Sequence, residues 1–150
     1  MNPVIDKALP LWVQPIPADD AAALVAFAEV YTDPLLVNGQ PSTLIDVVQR
    51  ARMLQGAFSE LRPEILASAD EGERCSFAFR LSGRHTGPLA TPLGPVAASG
   101  RRLTLTGADV FTLRAGKVAE VWAVSDMLGL LIEAGAVNRA GTWPPGAGPS

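Results

Sequence analysis

The sequence predicts an α+β fold in which helices come first and an antiparallel sheet follows. Three observations carry that reading. Leu44, Val47, Val48, Ala51, Leu54 and Phe58 recur at spacings of three and four, the apolar stripe of an amphipathic helix. Leu103 to Leu113 and Val118 to Val124 are rich in β-branched and aromatic residues, as strands are. Between them, Arg114-Ala-Gly-Lys117 offers Gly116 for the positive φ that a two-residue hairpin turn requires.

The elements follow in order. Asp19 or Asp20 caps a first helix through Ala22, Leu24, Val25, Phe27, Ala28 and Val30, and Tyr31-Thr-Asp-Pro34 stops it. Leu35-Leu-Val37 is a short strand closed by the turn Asn38-Gly39. Ser42 or Thr43 caps the helix ending at Phe58. After Pro63 come strands at Ile65–Ser68 and Cys75–Leu81, turned at Glu71-Gly72, and then the hairpin within Leu103–Val124. Gly83 to Gly100 holds Pro88, Pro92 and Pro95 and is expected to be an ordered loop or flap without regular structure. A single domain therefore spans residues 1–137, followed by a flexible Pro/Gly-rich tail over 138–150.

Composition narrows the function. The 150 residues are 48% hydrophobic and 18% charged, which is enough apolar material for one core. A net charge of −3 with twelve scattered basic residues argues against nucleic acid or anionic membrane as partner. Cys75 is the only cysteine, so it forms no internal disulfide, and it is expected to be buried and inert. Near the N-terminus Lys7 is followed by Pro10 and Trp12 without an apolar signal region, and no apolar run approaches membrane-spanning length. A cytoplasmic location is the expectation.

A few residues carry chemistry. Asp126 stands between the second hairpin strand and the apolar run Met127-Leu-Gly-Leu-Leu-Ile132, where an ionised carboxylate is costly unless paired. It reads as a helix cap or as a working acid/base, and the roles are compatible. If the hairpin is regular, counting back from Ala115-Gly116 pairs Asp109 with Trp122. Leu105, Asp109, Phe111, Glu120, Trp122 and Val124 then share one face, and Thr106, Val110, Val121 and Ala123 the other. Asp109 is a second pocket carboxylate or an exposed strand residue, and Trp122 a core aromatic or a stacking platform. Phe79, on the Cys75–Leu81 strand, is a further aromatic for a pocket. His85, the only histidine, has no carboxylate at ligand spacing, so no metal site is expected. It reads as a loop residue bonded to backbone or as a polar group at a pocket mouth. Arg80 and Arg84 read as substrate-carboxylate ligands or as solvated surface cations, and no serine has a histidine placed to activate it.

The order Gly83-Arg-His85-Thr-Gly87, Gly100-Arg-Arg102, Arg114-Ala-Gly-Lys-Val118, Glu120-Val-Trp122, Asp126 and Leu128 to Gly135 resembles the SnoaL-like polyketide cyclase, or ester cyclase, group. Ala57-Phe-Ser-Glu-Leu61 stands where that group often reads aFPDl. The likeness covers Tyr31 to Val137. It implies the NTF2-like cone, a curved antiparallel sheet wrapped over N-terminal helices and enclosing an apolar pocket. It implies a homodimer joined through the outer sheet face at Thr106–Thr112 and Val121–Ala123. The chemistry implied is cofactor-free ring closure of a hydrophobic polyketide by intramolecular aldol condensation. Asp126 matches the acid/base aspartate; Trp122, Asp109, His85 and Phe79 are the expected substrate-binding residues. One carboxylate serves both proton transfers if burial lifts its pKa toward neutrality. The chain departs from the pattern in Thr106-Gly-Ala-Asp-Val-Phe-Thr112, which lacks the usual histidine or glutamine, leaving the enolate donor to be found. Two other readings of the fold are a limonene-type epoxide hydrolase built on Asp109, Arg80 and Asp126, and a non-catalytic binding module.

Overall fold

The structure, a computed structural model, describes residues 1–138. The expected 138–150 tail, beyond Asn138, lies outside the described residues. Helix α1 (Pro3–Val13) starts with Pro3 at its first position, and Asn2 Oδ1 accepts the Val4 N–H at 3.0 Å. Pro10 sits inside this helix. Its missing N–H leaves only the carbonyl of Asp6 without its usual bond, and Asp6 is exposed to water. Asp19 caps α2 (Asp20–Ala28), and its carboxylate accepts the Ala22 N–H at 2.9 Å. Strands β1 (Tyr31–Val37) and β2 (Gln40–Ser42) form a hairpin around Asn38 and Gly39, both at positive φ. Helix α3 (Leu44–Ala57) begins with a capping box in which Thr43 and Asp46 satisfy each other's backbone N–H groups.

The remaining strands are β3 (Phe58–Glu71), β4 (Arg74–His85), the small pair β5 (Leu89–Thr91) and β6 (Gly94–Val96), then β7 (Arg102–Arg114) and β8 (Lys117–Ser125). Helix α4 (Met127–Glu133) follows. Pro63 lies within β3 instead of preceding it, as an edge strand with one side free of a partner tolerates. The 83–100 segment is also more regular than its prolines suggest. Gly83 to His85 complete β4, and β5 and β6 form a hairpin that buries Leu89.

The sheet corrects the expected cone. Its six strands run in the order β2-β1-β8-β7-β4-β3, an open sheet with two edges that does not close over the helices. It is also mixed, because β1 runs parallel to β8. Hairpins enforce antiparallel pairing only between strands joined by a turn. Here β1 and β8 come from opposite ends of the chain. Both edge strands carry a proline, Pro41 and Pro63, which discourages further strand addition.

One irregularity sets the site. Leu113 pairs with Val118, but Thr112 pairs with Glu120, so Ala119 is an extra residue in β8. Beyond this bulge Asp109 opposes Ala123, and Trp122 opposes Val110. The regular register expected from the turn is off by one, which turns every later side chain of β8 to the other face.

The main core joins α1, α2 and α3 to β1, β4, β7 and β8 through residues such as Ile5, Phe27, Val48, Phe77, Phe111 and Val118. A second cluster unites Ala57, Phe58, Leu89, Leu103 and Leu130.

Candidate active site

Where the two clusters meet, the packing leaves a cavity of about 490 Å³. Its wall is largely apolar: Phe77 and Phe79 from β4, Leu105 and Phe111 from β7, Val121 and Ala123 from β8. Helix α1 closes one side with Ala8, Leu9, Trp12 and Val13, and α3 brings Val47, Leu54 and the exposed Arg50 and Met53. Gly107 makes room for this wall. A Cβ there would stand 2.7 Å from Cζ of Phe79 and 2.8 Å from the Val124 carbonyl oxygen.

Among the described residues, Asp109 is the one carboxylate in the lining. It pairs across the sheet with Phe77 and Ala123, so it stands on the inner face among apolar side chains. No ion pair or hydrogen bond reaches its carboxylate among the described residues. Desolvation therefore acts unopposed and pushes its pKa up to about 7.

The second polar feature is a pair that the sequence reading missed. Nε1 of Trp12 donates to the Tyr31 hydroxyl at 2.9 Å, and both side chains line the cavity. Tyr31 is buried beside Phe27, with ring centroids 6.2 Å apart. Burial pushes its pKa up to about 12, against the Trp12 bond, and the charge of Asp109 adds to the rise. The side chain of Gln55 donates to the Trp12 and Gln14 carbonyls at 3.0 and 2.8 Å, which pins the end of α1.

The predicted site residues divide. Asp109 and Phe79 line the cavity. Trp122 lies on the opposite face, 51% exposed, with Nε1 donating to Glu120 at 2.6 Å and its ring against Gly39. The Ala119 bulge separates it from Asp109. Asp126 is exposed and caps α4, accepting the Gly129 N–H at 2.8 Å, while its own N–H bonds the Thr106 carbonyl. It is outside the cavity lining. His85 ends β4 and is fully buried against Phe58, its Nδ1 accepting the Ser99 N–H at 3.1 Å. Burial holds its pKa below the ordinary value, and it does not reach the cavity.

Arg80 pairs with Glu64 at 3.1 Å and Arg84 with Glu60 at 3.8 Å, both on the exposed surface. An Asp109–Arg80–Asp126 constellation is not assembled. Burial, then the charge of Asp70, pushes the Cys75 thiol up and away from reactivity. Among the described residues no three His, Cys, Asp or Glu side chains cluster as metal ligands, and no helix is long and apolar enough to cross a membrane.

Residues 18–133 match the family model of the SnoaL-like polyketide cyclases. The sequence matches no curated protein. Several solved structures share the fold. TsrD from Streptomyces laurentii is 21% identical, with a TM-score of 0.73 over 90% of this chain and 94% of that one. IdmH from Streptomyces antibioticus is 16% identical, with a TM-score of 0.69 over 89% of this chain and 96% of that one. A SnoaL-like polyketide cyclase from Agrobacterium tumefaciens is 18% identical, with a TM-score of 0.64 over 84% of this chain and 93% of that one. At these identities the likeness is one of fold. Helix α1 precedes the matched segment.

Proposed function

The chain belongs to the SnoaL-like polyketide cyclase family, and from that premise we propose a cofactor-independent acid/base enzyme acting on a hydrophobic, carbonyl-rich substrate. In this reading Asp109 takes the proton-transfer role expected of Asp126. The supporting observation is a carboxylate, unpaired among the described residues, with its pKa near 7 in a largely apolar cavity. Near neutral pH such a group is populated in both forms, so it accepts a proton and returns it.

The step is an intramolecular aldol closure. The Asp109 carboxylate removes a proton from a C–H beside a carbonyl, and the C–H electron pair becomes the enolate double bond. The enolate carbon attacks a second carbonyl carbon of the same molecule. The resulting alkoxide takes the proton back from Asp109. The apolar wall favours a substrate that folds through hydrophobic contact, and the bound substrate displaces the water that would quench the enolate.

We also propose a homodimer through the outer sheet face, where Leu36, Val110, Trp122 and Val124 are 40%, 38%, 51% and 71% exposed. On β7 this is the expected face, but on β8 the bulge turns Val121 and Ala123 inward and puts Trp122 and Val124 in their place.

The experiment is deuterium exchange at the C–H between the carbonyls of 1-(2-naphthyl)butane-1,3-dione, followed by NMR in D2O. Wild type is expected to accelerate exchange, Asp109→Asn to lose at least ~100-fold of it, and Asp126→Asn to retain it. Full exchange in Asp109→Asn overturns the assignment. Loss confined to Asp126→Asn returns the role to that residue, and the absence of exchange in every form favours a binding module.

A further inference from the structure

The enolate oxygen needs a donor, and the cavity holds one on strand β1. We infer that Tyr31, held in place by Trp12, donates the hydrogen bond that stabilises the developing negative charge on the substrate carbonyl oxygen while Asp109 moves the proton. The inference rests on the Asp109 reading and adds a second catalytic residue to it.

The direction of the Trp12–Tyr31 bond decides the matter. An indole N–H only donates, so at 2.9 Å the Tyr31 oxygen is the acceptor. The phenol's own proton is then left unspent. No other hydrogen bond engages the Tyr31 hydroxyl among the described residues, and the side chain lines the cavity. Accepting one bond polarises the O–H and strengthens the bond that it donates, by something like 10–30% in condensed-phase estimates. A pKa near 12 keeps Tyr31 protonated throughout the working range, which suits a donor and disqualifies it as the base.

Placement fits as well. Tyr31 feels the charge of Asp109 without being hydrogen-bonded to it, and both residues line the same cavity. The donor is rigid: Tyr31 pairs with Val118 on β8, stacks on Phe27, and is 4% exposed. Trp12 in turn is fixed by the Gln55 clamp on α1. A preorganised donor costs no rearrangement when charge develops. The device depends on a helix upstream of the segment that matches the family model.

The test uses 2-acetonaphthone with a ¹³C-labelled carbonyl as probe and infrared difference spectroscopy as readout. In wild type the bound carbonyl stretch shifts to lower frequency. Tyr31→Phe is expected to bind the probe but lose the shift, Trp12→Phe to show a reduced one, and Asp109→Asn to keep it. Tyr31 is the chain's only tyrosine, so biosynthetic 3-fluorotyrosine labels it alone without emptying the site. The more acidic phenol should enlarge the carbonyl shift.

In the exchange assay Tyr31→Phe lowers kcat by about 10²–10³-fold, as removal of an oxyanion donor does, with KM little changed. An unchanged carbonyl band in both Tyr31→Phe and the fluorotyrosine protein overturns the inference. Failure of the Asp109 reading registers separately, as exchange unaffected by Asp109→Asn while the band still reports on Tyr31.

Discussion

Replacing Asp109 with asparagine should stabilise the protein, increasingly so as pH rises. The folded state lifts the Asp109 pKa from the usual 3.8 to about 7, whereas the unfolded chain leaves it near 3.8. Between those values the unfolded state loses the proton and the folded state keeps it. Unfolding is therefore favoured by rising pH, and the loss levels off above about 7. Below about pH 4 both states are protonated and the penalty vanishes. At ~1.4 kcal/mol per pH unit, the gap between 3.8 and about 7 is worth ~4 kcal/mol. Water entering the cavity solvates the carboxylate in part, so ~2 kcal/mol is a realistic floor. Either figure is a large share of a typical stability of about 5–15 kcal/mol. The assay is urea unfolding of wild type and Asp109→Asn from about pH 4 to about pH 8.5. The difference between them isolates this residue because all other titrating groups are shared. It should grow in favour of asparagine by ~2–4 kcal/mol and flatten above about pH 7. A pH-independent difference would refute the claim that burial controls this carboxylate.

Other outcomes follow from the geometry. Asp126→Ala should cost ~1 kcal/mol through loss of the α4 cap, while Asp126→Asn is near neutral, measured by the same unfolding curves. Gly107→Ala should destabilise by about 1–3 kcal/mol, because its methyl meets the Phe79 ring and the Val124 carbonyl oxygen. The same variant should weaken 2-acetonaphthone binding in a fluorescence titration. Sedimentation velocity at micromolar concentration should show a dimer that Trp122→Glu converts to monomer; a wild-type monomer would refute the proposed interface.

Local features were legible in the sequence because local chemistry decides them. Thr43 is one of the two caps read for α3, Asn38-Gly39 and Gly116 announce tight turns, and the structure has each in place. The site was less legible because it depends on register and on distant packing. One extra residue at Ala119 moves Val121 and Ala123 to the cavity and Trp122 to the outside, and nothing in the hairpin's own sequence marks it. The parallel pairing of β1 with β8 joins segments about ninety residues apart, beyond the reach of turn and periodicity rules. Pro10 hid α1, although a single proline near a helix end costs only one exposed bond. With α1 unread, Trp12 had no place beside Tyr31, which was itself read as part of a helix stop. The apolar positions around Asp109 were visible along β7; its freedom from any counter-charge was a tertiary fact.

The central claim is that a cavity carboxylate, Asp109, transfers the proton. The most direct measurement is the pH dependence of the exchange rate of 1-(2-naphthyl)butane-1,3-dione in the enzyme-bound state. The rate should rise with pH as the base form appears, with a midpoint near 7, and the profile of Asp109→Asn should lack that midpoint. A midpoint in the ordinary carboxylate range near 4, or one at 7 that survives Asp109→Asn, would contradict the claim.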